Sequence, residues 1–335
     1  MPAKEATPVA KEAKPEIKEA KPAAKEARAP VKMKVAYSAI SAAQAPLWVA
    51  KDKGLFDKYG LDVELAYIAT GTTVVQAMVA GDISVAHLGG GNVINAVLGG
   101  ADLVAIAGAT NVLIYGMYGQ PNIARVEDLK GKAVAITRFG SVTDFAARYT
   151  LQKYGLQPEK DVTLVQVGGA PEILAAIQSG ATQAGLFAPP TTARAKKLGL
   201  REVVDITALG IPYSQTAVAV RKEYLAKNQD TVRDFLKAFV EGIFVIKKEK
   251  DFAMKVIGKY SEISDSEVLE DSYDIFANKV FPKAPYVTPA SLQTILDEIS
   301  QENPRAKTAK PEDFIDMRYV KELEDGGFIK RLYGD

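Results

Sequence analysis

The chain has 335 residues, 47% apolar and 25% charged, a length and balance that suit two globular domains of ordinary size. Its 42 Lys and Arg against 41 Asp and Glu leave a net charge of +1, which offers no basic face to a nucleic acid. The absence of cysteine excludes disulfides, thiolate metal sites and cysteine nucleophiles, and the single histidine, His87, is too few for a histidine-based zinc site.

Residues 1–30 are a Lys/Glu/Ala/Pro segment with almost no large apolar side chain. Such a composition cannot bury enough surface to offset the entropy of ordering, and Pro8, Pro15, Pro22 and Pro30 interrupt any helix. The segment reads as a disordered tail, either a tether or a dispensable solvated end. It lacks the apolar core of a signal peptide, and no apolar run in the chain reaches the length of a membrane span.

The folded part begins near Lys32 and repeats one plan. The first copy runs VAYSAISAAQAPLWVAKDKGLF (35–56), then LDVELAYIATGTTVVQAMVAGDISVAHLGGGN (61–92). The second runs VAITRFGSVTDFAARYTLQKYGL (134–156), then DVTLVQVGGAPEILAAIQSGATQAGLFAPPT (161–191). Asp62 and Asp161, Val63 and Val162, Leu65 and Leu164, and Gly81 and Gly180 share an offset of 99 residues. Each copy alternates short apolar strands with helices that end at glycine, which predicts βαβ units and largely parallel sheets. Ser214–Val220 reads as a strand returning to the first domain. Beyond it, Val232, Phe235, Leu236, Phe239 and Ile243 recur at helical spacing, and Thr288 followed by Pro289 reads as a helix start. The predicted organisation is a discontinuous domain one, 31–118 and 216–335, and a domain two, 119–215, with a ligand cleft between two α/β domains.

Ligands of open α/β sheets bind at the carboxyl ends of the strands, where loops meet helix starts. Candidates there are Ser38, Ser41 and Gln44 after the first strand, Gly71 and Thr72 after the second, and Gly90 and Asn92 after the third. In the second copy they are Arg138, Gly140, Ser141 and Thr143. Small hydroxyl residues, glycines and free helix-start N–H groups suit a carboxylate, sulfonate or phosphate, with Arg138 as an added cation. Ser141 and Thr72 serve equally well as ordinary helix caps. Trp48 in the first helix is a possible ligand contact, and Tyr213 and Gln215 lie where ligand and hinge meet. His87 reads as a core-edge histidine and Asp144 as a first-turn helix residue. No dinucleotide or P-loop glycine pattern occurs, and no cofactor, metal or catalytic residue is expected.

The segments YSAISAAQAPLWVAKDKGLFDKYGLDVEL, GDISVAHLGGGNVI and DLKGKAVAITRFGSVTDFAARYTLQKYGL, with the closing MRYVKELEDGGFIKRLYGD, resemble the SsuA/THI5-like (NMT1-like) substrate-binding proteins of nitrate/sulfonate/taurine type. The resemblance covers about residues 32–335. It implies the type II periplasmic binding protein fold, an extracytoplasmic monomer that is free or membrane-tethered, and delivery of a small anionic or heterocyclic ligand to an ABC permease. Its ligand loops fall on Ser38–Gln44, Gly71–Thr72, Gly89–Asn92 and Gly140–Thr143. An alternative is a cytoplasmic enzyme or ligand sensor on the same fold, of pyrimidine-precursor or menaquinone-pathway type. The pyrimidine-precursor branch implies a cysteine-rich motif that this chain lacks.

Overall fold

The computed structural model describes residues 29–334. The tail expected at 1–30 lies outside the described residues apart from its last two.

Two five-stranded sheets form two lobes. The first has the order β2-β1-β3-β10-β4, made of β1 (Val31–Tyr37), β2 (Leu61–Tyr67), β3 (Val85–Leu88), β4 (Leu103–Val112) and β10 (Pro212–Arg221). The second has the order β7-β6-β8-β5-β9, made of β5 (Gly116–Gly119), β6 (Ala133–Ile136), β7 (Thr163–Gln166), β8 (Ala184–Phe187) and β9 (Arg201–Asp205). The 99-residue offset is the register of the sheets themselves. Val35 pairs with Leu65 and with Val85, as Val134 pairs with Leu164 and with Ala184. The central strands β3 (VAHL) and β8 (AGLF) are buried at every residue, as strands covered on both faces must be. The edge strand β2 instead alternates buried and exposed residues over its first half. Helices Gly71–Ala80 and Ala170–Gln178 are followed by Gly81 at φ +91° and Gly180 at φ +80°, a left-handed stop open to glycine at little cost.

The C-terminal segment completes lobe one. Helix Gln229–Lys248 buries Val232, Phe235, Leu236, Phe239 and Ile243 against helix Ala45–Asp52 and the first sheet. Helix Pro289–Ile299 starts at Thr288, whose side chain accepts from Ser291 N at 3.4 Å. It packs through Leu292 and Ile295 near Tyr213, in a core that continues into lobe two. No helix among the described residues is long and apolar enough to cross a membrane.

The strand expected at Ser214–Val220 is present and runs from Pro212 to Arg221. Sheet membership places the crossings earlier than expected. The chain leaves the first sheet after Val112, joins the second at Gly116 and rejoins the first at Pro212, because residues 116–119 pair with β8 and β9. Segments 113–115 and 206–211 therefore join the lobes, against the expected boundaries at 118/119 and 215/216.

The direction of the crossing strands sets the site. β5 and β10 are antiparallel to their neighbours. The chain thus leaves one sheet at its carboxyl edge and enters the other at its carboxyl edge, so the two carboxyl edges face each other across the crossing. The crossings are tied together: Leu113 N donates to Ile211 O at 3.0 Å, and Thr207 N donates to Tyr115 O at 3.0 Å. Gln215 on β10 clamps the other crossing by accepting from Ile114 N through Oε1 and donating to Ile114 O at 3.5 Å. Replacing Gln215 by Leu leaves the buried Ile114 N–H without its acceptor. A loss of about 1–3 kcal/mol in urea denaturation is expected; a variant as stable as the parent would show that the clamp carries no energy.

Candidate functional site

The loops at the two carboxyl edges meet and close on each other. Ser41 Oγ donates to Pro189 O at 3.2 Å and Ala42 N to the same oxygen at 3.0 Å. Asn92 Nδ2 donates to Gly140 O at 3.0 Å. A Cβ placed on Gly169 would sit 2.9 Å from the Tyr67 hydroxyl, and one on Gly89 would sit 2.4 Å from Val142 Cγ2. A side chain at Gly89 would press on the short Val142 side chain of the other lobe, which gives that position a physical reason to be bare; one at Gly169 would displace the tip of Tyr67.

Between these contacts lies a cavity of about 40 Å³. A water needs roughly 10–15 Å³ on this measure, so the closed lobes leave room for a few non-hydrogen atoms. Lobe one supplies Ser38, Ala39, Ile40, Ser41 and Tyr67; lobe two supplies Thr137, Thr143, Gly169, Ala170, Ile173 and the 186–188 segment with Thr191. Tyr115, on the crossing, completes the wall. Every one of these residues is uncharged. Thr137, Ser141 and Thr143 form a ring of hydroxyl hydrogen bonds at 2.8–2.9 Å, and Thr143 Oγ1 also accepts from Thr137 N at 2.9 Å. Helix Ala170–Gln178 begins at Gly169 with no side-chain cap, and since Pro171 has no N–H, Ala170 and Glu172 carry its first-turn N–H groups without a side-chain partner. Burial pushes the Tyr67 phenol up to about 12, with Glu172 adding to the effect, so Tyr67 is a neutral donor.

Of the fourteen residues expected at the site, Ser38, Ser41 and Thr143 line the cavity, and Ser141 sits behind Thr143 in the hydroxyl ring. Gly71, Thr72, Asn92 and Gly140 form a knot beside it. Asn92 Nδ2 also lies 3.4 Å from Thr72 Oγ1, and a Cβ on Gly71 would overlap the Asn92 amide. Gly90 is pressed against Ser214 of β10. The other five do other work. Gln44 is buried within the turn after Ser41. Trp48 is fully buried, stacked on Tyr260 at 5.0 Å and edge-on to Tyr37 at 5.6 Å, so it anchors the first helix. Tyr213 packs on Phe145 at 4.3 Å and, with Gln215, belongs to the hinge. Arg138 is exposed and is not part of this cavity's wall, whereas Thr137 just before it is. The polar wall residues outside the expected set are Tyr67, Tyr115, Thr137 and Thr191; Tyr67 ends a strand and Thr137 follows one, each beside a glycine-containing loop.

His87 is fully buried on β3 against Phe239, and neither ring nitrogen has a partner among the described residues. Burial pushes its imidazole down to about 3. It neither faces the cavity nor titrates near neutrality. Because the unfolded chain takes up this proton near 6.5 and the folded one resists it to about 3, stability is full above 6.5 and is lost on acidification toward 3.

The sequence pattern described as NMT1/THI5 like matches residues 41–253. The chain belongs to the NMT1/THI5-like family. It is 26% identical over 282 residues to the putative binding protein YtlA of Bacillus subtilis, covering 80% of this chain and 83% of the relative. It is 26% identical over 226 residues to the taurine-binding periplasmic protein of Escherichia coli, covering 63% and 65%. Among solved structures, the alkanesulfonate-binding protein SsuA of Xanthomonas axonopodis pv. citri, bound to MOPS, superposes with a TM-score of 0.71 at 18% identity, covering 86% of this chain and 99% of that one. The architecture of this NMT1/THI5-like protein is accordingly the periplasmic binding protein fold.

The burial of His87 yields a direct test. Between pH 7 and pH 5 the parent is expected to lose stability in urea melts, by at most about 1.4 kcal/mol per pH unit from this group. His87→Phe removes that part of the loss; equal losses in both proteins would contradict the assignment.

Proposed function

We propose that this protein is the solute-binding component of an ABC importer, working outside the cytoplasmic membrane, and that it binds its solute without transforming it. The observation that supports this most is the cavity whose wall is shared by both lobes. A solute held there contacts both sheets, so it favours the closed form by its differential affinity, and a permease can then read that form. The relatives named as binding proteins for taurine and alkanesulfonates support the same reading.

The bound solute is small and carries an oxyanion group, a sulfonate or a carboxylate. Ser38, Thr137 and Thr143 supply hydroxyls, and the uncapped start of helix Ala170–Gln178 supplies the backbone N–H groups of Ala170 and Glu172. Recognition rests on these neutral dipoles and on shape, with Ile40, Ile173 and Phe187 packing the carbon part. The exposed Arg138 takes no part.

The test is a thermal-shift panel of taurine, short alkanesulfonates, nitrate and small carboxylates, followed by calorimetry. One of them is expected to raise the melting temperature saturably and to bind one-to-one, adding about 2.7 kcal/mol at a hundred times its Kd. Ser38→Ala and Tyr67→Phe should each weaken that solute about five- to tenfold, one hydrogen bond apiece, and Arg138→Ala should leave it unchanged. No saturable shift across the panel, or a large loss in Arg138→Ala, would overturn the proposal.

A further inference from the structure

The lobes also meet next to the Asn92–Gly140 contact, where the end of helix Pro289–Ile299 of lobe one and helix Val142–Lys153 of lobe two line one cavity with Asn95 and Gly140. Its volume is about 550 Å³. Lobe two brings Asp144 and Arg148 from its helix and Glu159 from the turn beyond; lobe one brings Glu298 and Glu302. Arg148 Nε donates to Asp144 Oδ1 at 2.8 Å, and the guanidinium stands 3.6 Å from Glu159. Across the lobe boundary it reaches Glu302 at 3.5 Å. One cation is thus committed to three carboxylates, and Glu298 is a fourth in the same cavity.

The groups facing Glu298 are Asp144 and Arg148 from the opposing helix, Glu302 one turn further along its own segment, and the buried phenol of Tyr213 on β10. Burial, then Asp144, pushes the Glu298 carboxyl up to about 7, and burial raises Asp144 as well, against the pull of Gly140 N–H and Arg148. Parting the lobes returns water to Glu298 and moves it away from Asp144, which restores an ordinary carboxyl.

We propose that this cluster is a proton-operated clasp, in which closing the lobes takes up a proton at the facing Glu298–Asp144 pair and losing that proton drives the lobes apart. The proposal rests on the reading that the lobes open and close around a solute. Its sign follows from linkage. At a pH below the ordinary carboxyl range both forms hold the proton and closure is insensitive to pH. Between that range and about 7 the closed form holds the extra proton, so closure loses ground as pH rises, by at most about tenfold per unit for one proton. Above that window the dependence flattens.

The chain has no native cysteine, so two nitroxides can be placed cleanly. Val79→Cys and Gln178→Cys put them on exposed positions of helices Gly71–Ala80 and Ala170–Gln178, one per lobe at the 99-residue offset. Electron–electron distance measurements on the full chain without solute should show the open-to-closed ratio rising about tenfold or more between pH 5.5 and pH 8. Glu298→Gln should keep the pH 5.5 distribution at pH 8, and Asp144→Asn should move the midpoint to lower pH. The clasp is refuted if the parent pair gives one distribution at both pH values, or if Glu298→Gln opens with pH as the parent does. Either result leaves the solute-binding reading to be judged by the thermal-shift panel alone.

Discussion

The structure depends on the antiparallel insertion of one strand from each crossing into the opposite sheet. β5 enters sheet two, and β10 re-enters sheet one, from the carboxyl edge. Nothing else obliges the strand-end loops of two separately folded sheets to confront each other. Given that constraint, the loops of 38–41, 137–143, 169–173 and 188–191 converge without any long-range charge to draw them together. The bonds among Leu113, Ile114, Tyr115, Thr207, Ile211 and Gln215 keep the two crossings as one ribbon. Any relative motion of the lobes has to bend that ribbon.

The same constraint explains the division of labour among the polar residues. Those nearest the ribbon, Tyr213 and Gln215, are consumed by the hinge. Those at the rim of the lobes, Thr72, Asn92 and Gly140, tie one lobe to the other. The residues between rim and ribbon are the ones that line the cavity proposed for the solute. Hydroxyl side chains predominate there because each both donates and accepts, so the Thr137–Ser141–Thr143 ring can satisfy itself with the cavity empty and re-aim when it is filled.

Much of the fold was legible in the sequence because its cause is local and periodic. Val35 and Val134 hold the same register in the two sheets, Gly81 and Gly180 follow equivalent helices, and Thr288 with Pro289 starts another. Within the site, Ser38, Ser41 and Thr143 were legible as hydroxyls at strand ends. Arg138 lies outside the cavity wall, and spacing alone does not reveal which way residue 138 faces. Gln215 and Tyr213 read as ligand contacts because they sit on the crossing; their actual partners, Ile114 and Phe145, come from distant parts of the chain. The carboxyl cluster was invisible for the same reason, since Glu298 and Glu302 lie some 150 residues beyond Asp144 and Arg148.

The uncharged wall of the solute cavity has a consequence for how binding answers to salt. Attraction between separated charges fades with dissolved electrolyte, over about 10 Å at 0.1 M and about 3 Å at 1 M. Dipoles in contact with a buried group, shielded from mobile ions, keep their strength. Under the proposed reading, a solute that meets Ser38, Thr137 and the start of helix Ala170–Gln178 loses little of its hold as dissolved electrolyte rises.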